Sequence, residues 1–196
     1  MKPINVLIAG IGGQGLVMTT ELICQAAFGE GYDIKSNDVI GLAQRGGRVW
    51  GSVRIGKKIY SPNIPEGEVD LLLGIEPMEA LRWQFDLKTE AKILLNQHQV
   101  YPTIVQQEQA VYPEEEIQQM LEKFDSLSLD AFKEARECGN EKAANTLMVG
   151  GISHFLPISE EGWLEAIKRT YPEKLQAVNE KVWKKGRDIA QQSEFL

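Results

Sequence analysis

The clearest chemistry in the sequence lies in six residues near its start, Gly10-Ile11-Gly12-Gly13-Gln14-Gly15. They follow the apolar run Val6-Leu7-Ile8-Ala9, and Leu16, Thr20, Ile23 and Ala27 then recur at helical steps. A buried strand, a glycine turn and a helix N-terminus together make an anion-binding device. Gly10 suits backbone angles that a side chain forbids, Gly12 leaves room for an anionic group, and Gly15 lets the helix approach the strand. The helix start adds unpaired N–H groups and about half a unit of positive charge. Gln14 adds a neutral amide that donates or accepts. The other reading is a tight strand-to-helix turn with no ligand, because short glycine motifs recur without one.

An ordinary dinucleotide fold needs a carboxylate about 20 residues on, at the end of the second strand. The next strand by pattern is Tyr32 to Ser36. Asp33 comes too early in it and Asp38 too late, which counts against a nicotinamide enzyme. Beyond it, Gln44-Arg45-Gly46-Gly47 sets an arginine among flexible glycines, able to fork onto a carboxylate or phosphate. Arg48 to Ile55 then alternates: Val49, Val53 and Ile55 face one way, Arg48, Trp50, Ser52 and Arg54 the other. That second face reads either as a solvated surface or as a contact surface rich in Trp and Arg, and the mobile-looking glycines before it favour contact. Gly56-Lys57 suits a two-residue turn, with Lys58-Ile59-Tyr60 as the return strand of an inserted hairpin.

The rest of the chain supplies a frame. Val69 to Gly74 and Ala91 to Asn96 read as buried strands, Val100 to Val105 as an edge strand broken by Pro102, and Ser126 to Leu129 as a short final strand. Pro77 opens a helix over Met78 to Phe85, with Glu76 as its starting carboxylate, and Glu114-Glu115-Glu116 suit another helix N-terminus. Residues 143–196 read as a helical tail in which Gly150 and Gly151 permit close packing. The expected fold is α/β: a Rossmann-like, mostly parallel sheet with an inserted β-hairpin and a helical C-terminal part, in one domain over 1–196.

Composition limits the function. The chain has 196 residues and a net charge of −7, which disfavours nucleic acid as a partner. Only two cysteines occur, Cys24 and Cys138, and they form no C-x-x-C pair. A metal or iron–sulfur site built from this chain alone is not expected. Lys2 precedes an apolar stretch too short for a signal peptide, and no run reaches the ~20 residues of a membrane span. The expectation is a cytoplasmic protein without membrane contact.

Several stretches together resemble one family. Gly10 to Gly15 resembles the G-x-G-G-Q-G opening of the gamma-type domain of 2-oxoacid:ferredoxin oxidoreductases. Gly41-Leu42-Ala43-Gln44-Arg45-Gly46-Gly47 with Val49, Ser52, Val53 and Arg54 is more discriminating, as is Tyr60 to Glu68 continued by Asp70, Glu76, Pro77, Glu79 and Arg82. These are similar to the beta subunits that serve indolepyruvate within that family. Asn145-Thr146-Leu147-Met148 with Gly150 resembles its downstream asparagine motif, and Trp163, Asn179 and Gly186 fit its helical tail.

The resemblance implies oxidative decarboxylation of an arylpyruvate to an acyl-coenzyme A, with ferredoxin reduced. It implies a larger alpha subunit as partner, carrying thiamine diphosphate, magnesium and [4Fe–4S] clusters, with coenzyme A as co-substrate. No residue of this chain is expected to be catalytic. The expected contacts to coenzyme A or its phosphates are Gly10, Gly12, Gly13, Gln14 and Gly15, with Gln44, Arg45, Gly46 and Gly47 on the loop and Asn145 and Thr146 nearby. The competing expectation is that these motifs shape only the subunit contact. Where the family pattern has histidine, this chain has Ile40, so no proton-handling role is expected there. Two other readings stay open: a subunit for pyruvate, 2-oxoisovalerate or 2-oxoglutarate, and a stand-alone Rossmann protein holding NAD or flavin.

Overall fold

A computed structural model describes residues 2–41 and 47–195. The described residues include β1 (Ile4–Ile11), α1 (Leu16–Gly29), β2 (Asp33–Ile40), β3 (Arg48–Gly56), β4 (Val69–Gly74) and α2 (Pro77–Leu81). Then come β5 (Leu87–Asn96), α3 (Thr103–Gln106), α4 (Glu114–Lys123), β6 (Asp125–Leu129), α5 (Ala131–Glu137), α6 (Ala144–Ile152), α7 (Glu160–Thr170) and α8 (Glu173–Gln192). The strands form one sheet in the order β2-β3-β1-β4-β5-β6. β1, β4, β5 and β6 are mutually parallel, and β3 runs antiparallel to both β1 and β2.

The fold is the expected α/β sheet with an inserted hairpin, but the hairpin uses a different pair of strands. β3 pairs with β2 upstream of it, from Asp33 opposite Gly56 to Ile40 opposite Val49. Lys58 to Tyr60 form no return strand. The Asp33 carboxylate accepts the Ile59 N–H at 2.7 Å, so this segment is tied across the strand end instead. β2 also runs past Ser36, although Asn37 and Asp38 look like turn residues. Thr20 on α1 donates to the Asp38 carboxylate at 2.8 Å, and Asn37 pairs with Ser52. Tertiary partners thus override local turn preference. The expected edge strand at Val100 to Val105 is absent; Pro102 leads into the single turn α3, whose Ile104 is exposed.

The two sheet faces hold separate cores. Val6, Ile8, Val53, Ile55, Leu71 and Leu73 pack against α1, α6 and the two fully buried tryptophans, Trp163 and Trp183. Leu7, Ala9, Leu72, Ile93 and Leu95 pack against Ala80, Ile117, Met120 and Phe124. Burial on both faces explains why these strands read as continuous apolar runs. Arg54 is engaged within the chain: it donates to Asn5 Oδ1 at 2.9 Å and to the Ser61 and Asn63 carbonyls at 3.1 and 2.9 Å. It staples the turn-rich connector to the sheet. Glu76 caps α2 by accepting the Glu79 N–H at 2.9 Å, and it also accepts from the Tyr112 hydroxyl at 2.6 Å.

The helical tail is fastened by glycine. A Cβ on Gly150 would lie 2.1 Å from the Trp183 carbonyl oxygen, and one on Gly186 would lie 1.9 Å from that of Leu147. α6 and α8 therefore touch backbone to backbone. Gly186→Ala must force them apart and should cost about 3 kcal/mol or more, at the upper end of overpacking effects. Gly139→Ala, at φ +113° with nothing within 4 Å of its Cβ, should cost only about 1 kcal/mol. Urea denaturation of both variants checks the contrast. Tyr112→Phe removes the donor to a fully buried carboxylate and should cost about 1.5–3 kcal/mol in the same assay, against almost nothing for the exposed Tyr101→Phe.

Candidate functional site

β1 ends at the C-terminal edge of the sheet, and the glycine turn carries the chain directly into α1. Gly13 and Gly15 sit at φ +96° and +82°, a region glycine enters without strain. Gly10 does not; its part is spatial. A Cβ there would meet Gln14 Oε1 at 2.9 Å and the Ile75 Cβ at 3.2 Å. Gly15 likewise gives room to Asn145 on α6, whose Nδ2 would lie 3.3 Å from an added Cβ, rather than to the strand.

The turn is closed by its own hydrogen bonds. Gln14 Oε1 accepts the Ile11 N–H at 2.9 Å, and the Gln14 N–H donates to the Ile11 carbonyl at 3.2 Å. The Gly12 N–H donates to the Gly47 carbonyl at 2.8 Å, so it is not free for a ligand. From the opposite side, Asn145 Nδ2 donates to the Gln14 carbonyl at 2.7 Å and to Thr19 Oγ1 at 3.0 Å. Two features remain open. Gln14 Nε2 is buried and has no hydrogen-bond partner among the described residues. The N-terminus of α1 has no side-chain cap and no acidic residue in its first turn. Both call for an acceptor or an anion.

A cleft of ≈ 300 Å³ opens beside this turn, lined by Gly12, Gly13, Gly15, Val17, Met18 and Ile40 among others. Ile40 is 63% exposed and presents an apolar wall where a proton-handling group was not expected. The structure thus brings together Gly10, Gly12, Gly13, Gln14, Gly15, Gly47 and Asn145. Thr146 is elsewhere. It is 1% exposed, donates to Asn179 Oδ1 at 2.7 Å, and lies 2.8 Å from the Tyr171 hydroxyl. It belongs to the packing of the helical tail. Gln44, Arg45 and Gly46 lie outside the described residues.

Sequence reasoning passed over Thr19, which completes the Asn145 contact, and Trp83. The Arg48 guanidinium lies 5.1 Å from the Trp50 ring and 5.3 Å from the Trp83 ring, and Trp50 and Trp83 are 5.5 Å apart. Burial pushes the Glu79 carboxyl up, against the pull of Arg82 at 3.2 Å and Arg48 at 3.8 Å. Val49 and Trp50 are adjacent on β3, so this cluster occupies the sheet face opposite the glycine turn.

The donor set for a metal is poor. Among the described residues no group of three His, Cys, Asp or Glu converges to hold an ion. Cys24 and Cys138 are both free, and burial pushes the Cys24 thiol up to about 11, away from the thiolate a cluster needs. Among the described residues no helix is long and apolar enough to cross a membrane.

Comparison with known proteins fits this architecture. Residues 5–189 match the family model described as pyruvate ferredoxin/flavodoxin oxidoreductase. The chain is 36% identical over 194 residues to indolepyruvate oxidoreductase subunit IorB of Pyrococcus horikoshii, covering 95% of each. It is 35% identical over 194 residues to the subunit of the same name from Thermococcus kodakarensis, again covering 95% of each. Its fold is similar to the crystal structure of a keto/oxoacid ferredoxin oxidoreductase gamma subunit from Geobacter sulfurreducens, with a TM-score of 0.72 at 20% identity, covering 96% of this chain and 99% of that one. The chain belongs to the pyruvate ferredoxin/flavodoxin oxidoreductase family.

Proposed function

We propose that this chain is the smaller subunit of an indolepyruvate oxidoreductase and completes the active site of a larger cytoplasmic partner. The match to the family over residues 5–189, together with relatives named for indolepyruvate, carries this reading. The reaction is oxidative decarboxylation. An arylpyruvate loses carbon dioxide, its acyl carbon bonds to the sulfur of coenzyme A, the thiol proton is released, and two electrons pass to ferredoxin. Thiamine diphosphate with magnesium supplies the electron sink for decarboxylation, and [4Fe–4S] clusters the electron path; the donor set described above does not fit either, and both are assigned to the partner.

This chain's own part is binding. The phosphates of coenzyme A sit at the uncapped start of α1, where the Gln14 Nε2 donor and the helix dipole favour an acceptor. Asn145 holds the turn in shape through the Gln14 carbonyl and is a positioning residue. Arg45, in the stretch between β2 and β3, is assigned to the same anion or to the partner's active site. The chain acts as one unit over 1–196, with 143–196 as the tail that supports the turn.

Recovery of the complex from its native cells tests the assembly. A large subunit carrying thiamine diphosphate and clusters should co-purify, and turnover should be fastest with indolepyruvate in a panel of 2-oxoacids; a chain that turns over alone with bound nicotinamide or flavin would sink the reading. Gln14→Glu tests the site within that complex. It keeps the acceptor for the Ile11 N–H and replaces the open donor by a negative charge. Coenzyme A should bind at least about tenfold more weakly by calorimetry, in line with 1.5–3 kcal/mol for a hydrogen bond to a charged group. Unchanged affinity would remove the turn from the coenzyme A site.

A further inference from the structure

On the sheet face opposite the glycine turn lies a second cleft, of ≈ 210 Å³. Its floor is Leu7 and Val69, both buried, and its walls include the indoles of Trp50 and Trp83. Asn37 on β2, Asn63 in the connector, and Asp86 stand around it. The function above uses none of these residues.

From this arrangement we infer a binding site for a planar nitrogen heterocycle bearing an exocyclic amino group, an aminopurine ring such as that of an adenine nucleoside. Three observations carry it. First, two indoles wall the cleft with centroids 5.5 Å apart and planes at 53°, so a flat ring can stack on one while its edge meets the other. Arg48 packs on both rings at 5.1 and 5.3 Å and is itself drawn toward the Glu79 carboxylate at 3.8 Å. Every nucleobase has a face that can stack on an aromatic surface. Second, the rim carries two amides and a carboxyl, the set that reads a base edge. An amide offers both donor and acceptor, and a carboxyl accepts from an amino group. Burial and the neighbouring Glu66 push the Asp86 carboxyl above its usual range. Third, the guanidinium already on the platform disfavours an incoming cation, so a neutral ring suits the cleft better than an ammonium group. The volume admits one base, with any ribose and phosphate directed to solvent.

The inference does not rest on the coenzyme A reading, since the two clefts lie on opposite sheet faces. The full chain carries four tryptophans, of which Trp163 and Trp183 are 0% exposed. Quenching at 295 nm excitation therefore reports on Trp50 and Trp83. Adenosine should bind saturably by equilibrium dialysis with a dissociation constant near or below ~1 mM, and it should quench that emission. Trp83→Leu should weaken binding roughly tenfold or more, as loss of one stacking partner does. Asn63→Ala, on an exposed loop, should weaken it severalfold without touching the core, which guards against a Trp83 variant that fails to fold. Adenosine monophosphate and coenzyme A form further arms: equal affinity of all three marks a site for the ring alone, and tighter binding of coenzyme A that persists in Gln14→Glu marks its adenine end as the occupant. Absence of saturable binding to the wild-type chain overturns the inference. So does indole binding as tightly as adenosine, or adenosine affinity unchanged in both variants.

Discussion

One side-chain amide ties the helical tail directly to the glycine turn. Asn145, at the start of α6, donates to the Gln14 carbonyl and to Thr19 Oγ1, and so grips both the glycine turn and the first turn of α1. Its reach depends on Gly15, where an added Cβ would crowd Nδ2. Its position depends on the seating of α6, which the contact at Gly150 and Gly186 fixes against α8. The shape of the turn at the end of β1 is thus set by residues more than 100 positions away, with |i−j| of 131 for the Gln14 contact. This gives the helical tail a physical purpose. It buttresses a backbone cradle that otherwise rests on the turn's own hydrogen bonds and on the one from the Gly12 N–H to the Gly47 carbonyl.

The parts of this arrangement that depend on local physics are legible in the sequence. Val6 to Ala9 followed by glycines announces a buried strand and a turn, because apolar run length and backbone freedom are properties of neighbours. The Glu76 cap, the acidic start of α4 and the close-packing glycines of α6 are legible for the same reason. Strand partnership is not. Gly56-Lys57 satisfies the rules for a hairpin turn, yet β3 takes β2 as its partner, because Asp33 and Asp38 find donors on other elements. The site shows the same limit. Asn145 and Thr146 are adjacent, but successive helix residues point about 100° apart, so one meets the turn and the other Asn179 and Tyr171. No sequence pattern sets that phase without knowing what the helix packs against. Trp83 escaped notice because its partner, Trp50, lies in another element.

The strand order also explains why the ribose carboxylate of dinucleotide enzymes has no counterpart here. In a doubly wound sheet that acid stands at the end of the strand beside β1. Here the neighbour on that side is β3, running the other way, with Arg48 opposite Ile11. The position next to the turn is therefore the beginning of a strand. It presents the Gly47 carbonyl, already bonded to the Gly12 N–H, rather than a carboxylate, and the Arg48 side chain turns to the other face, onto Trp50 and Trp83. One antiparallel strand thereby changes what the edge of the sheet can recognise. It withdraws the acceptor for a ribose hydroxyl while leaving the helix N-terminus free for an anion. The same strand alternates Val49 toward the glycine turn and Trp50 toward the indole cleft, so each sheet face gains a lining residue from it. A reversal of β3's register by one residue would exchange the two and spoil both clefts at once, which ties the pairing of β2 with β3 to recognition as well as to stability.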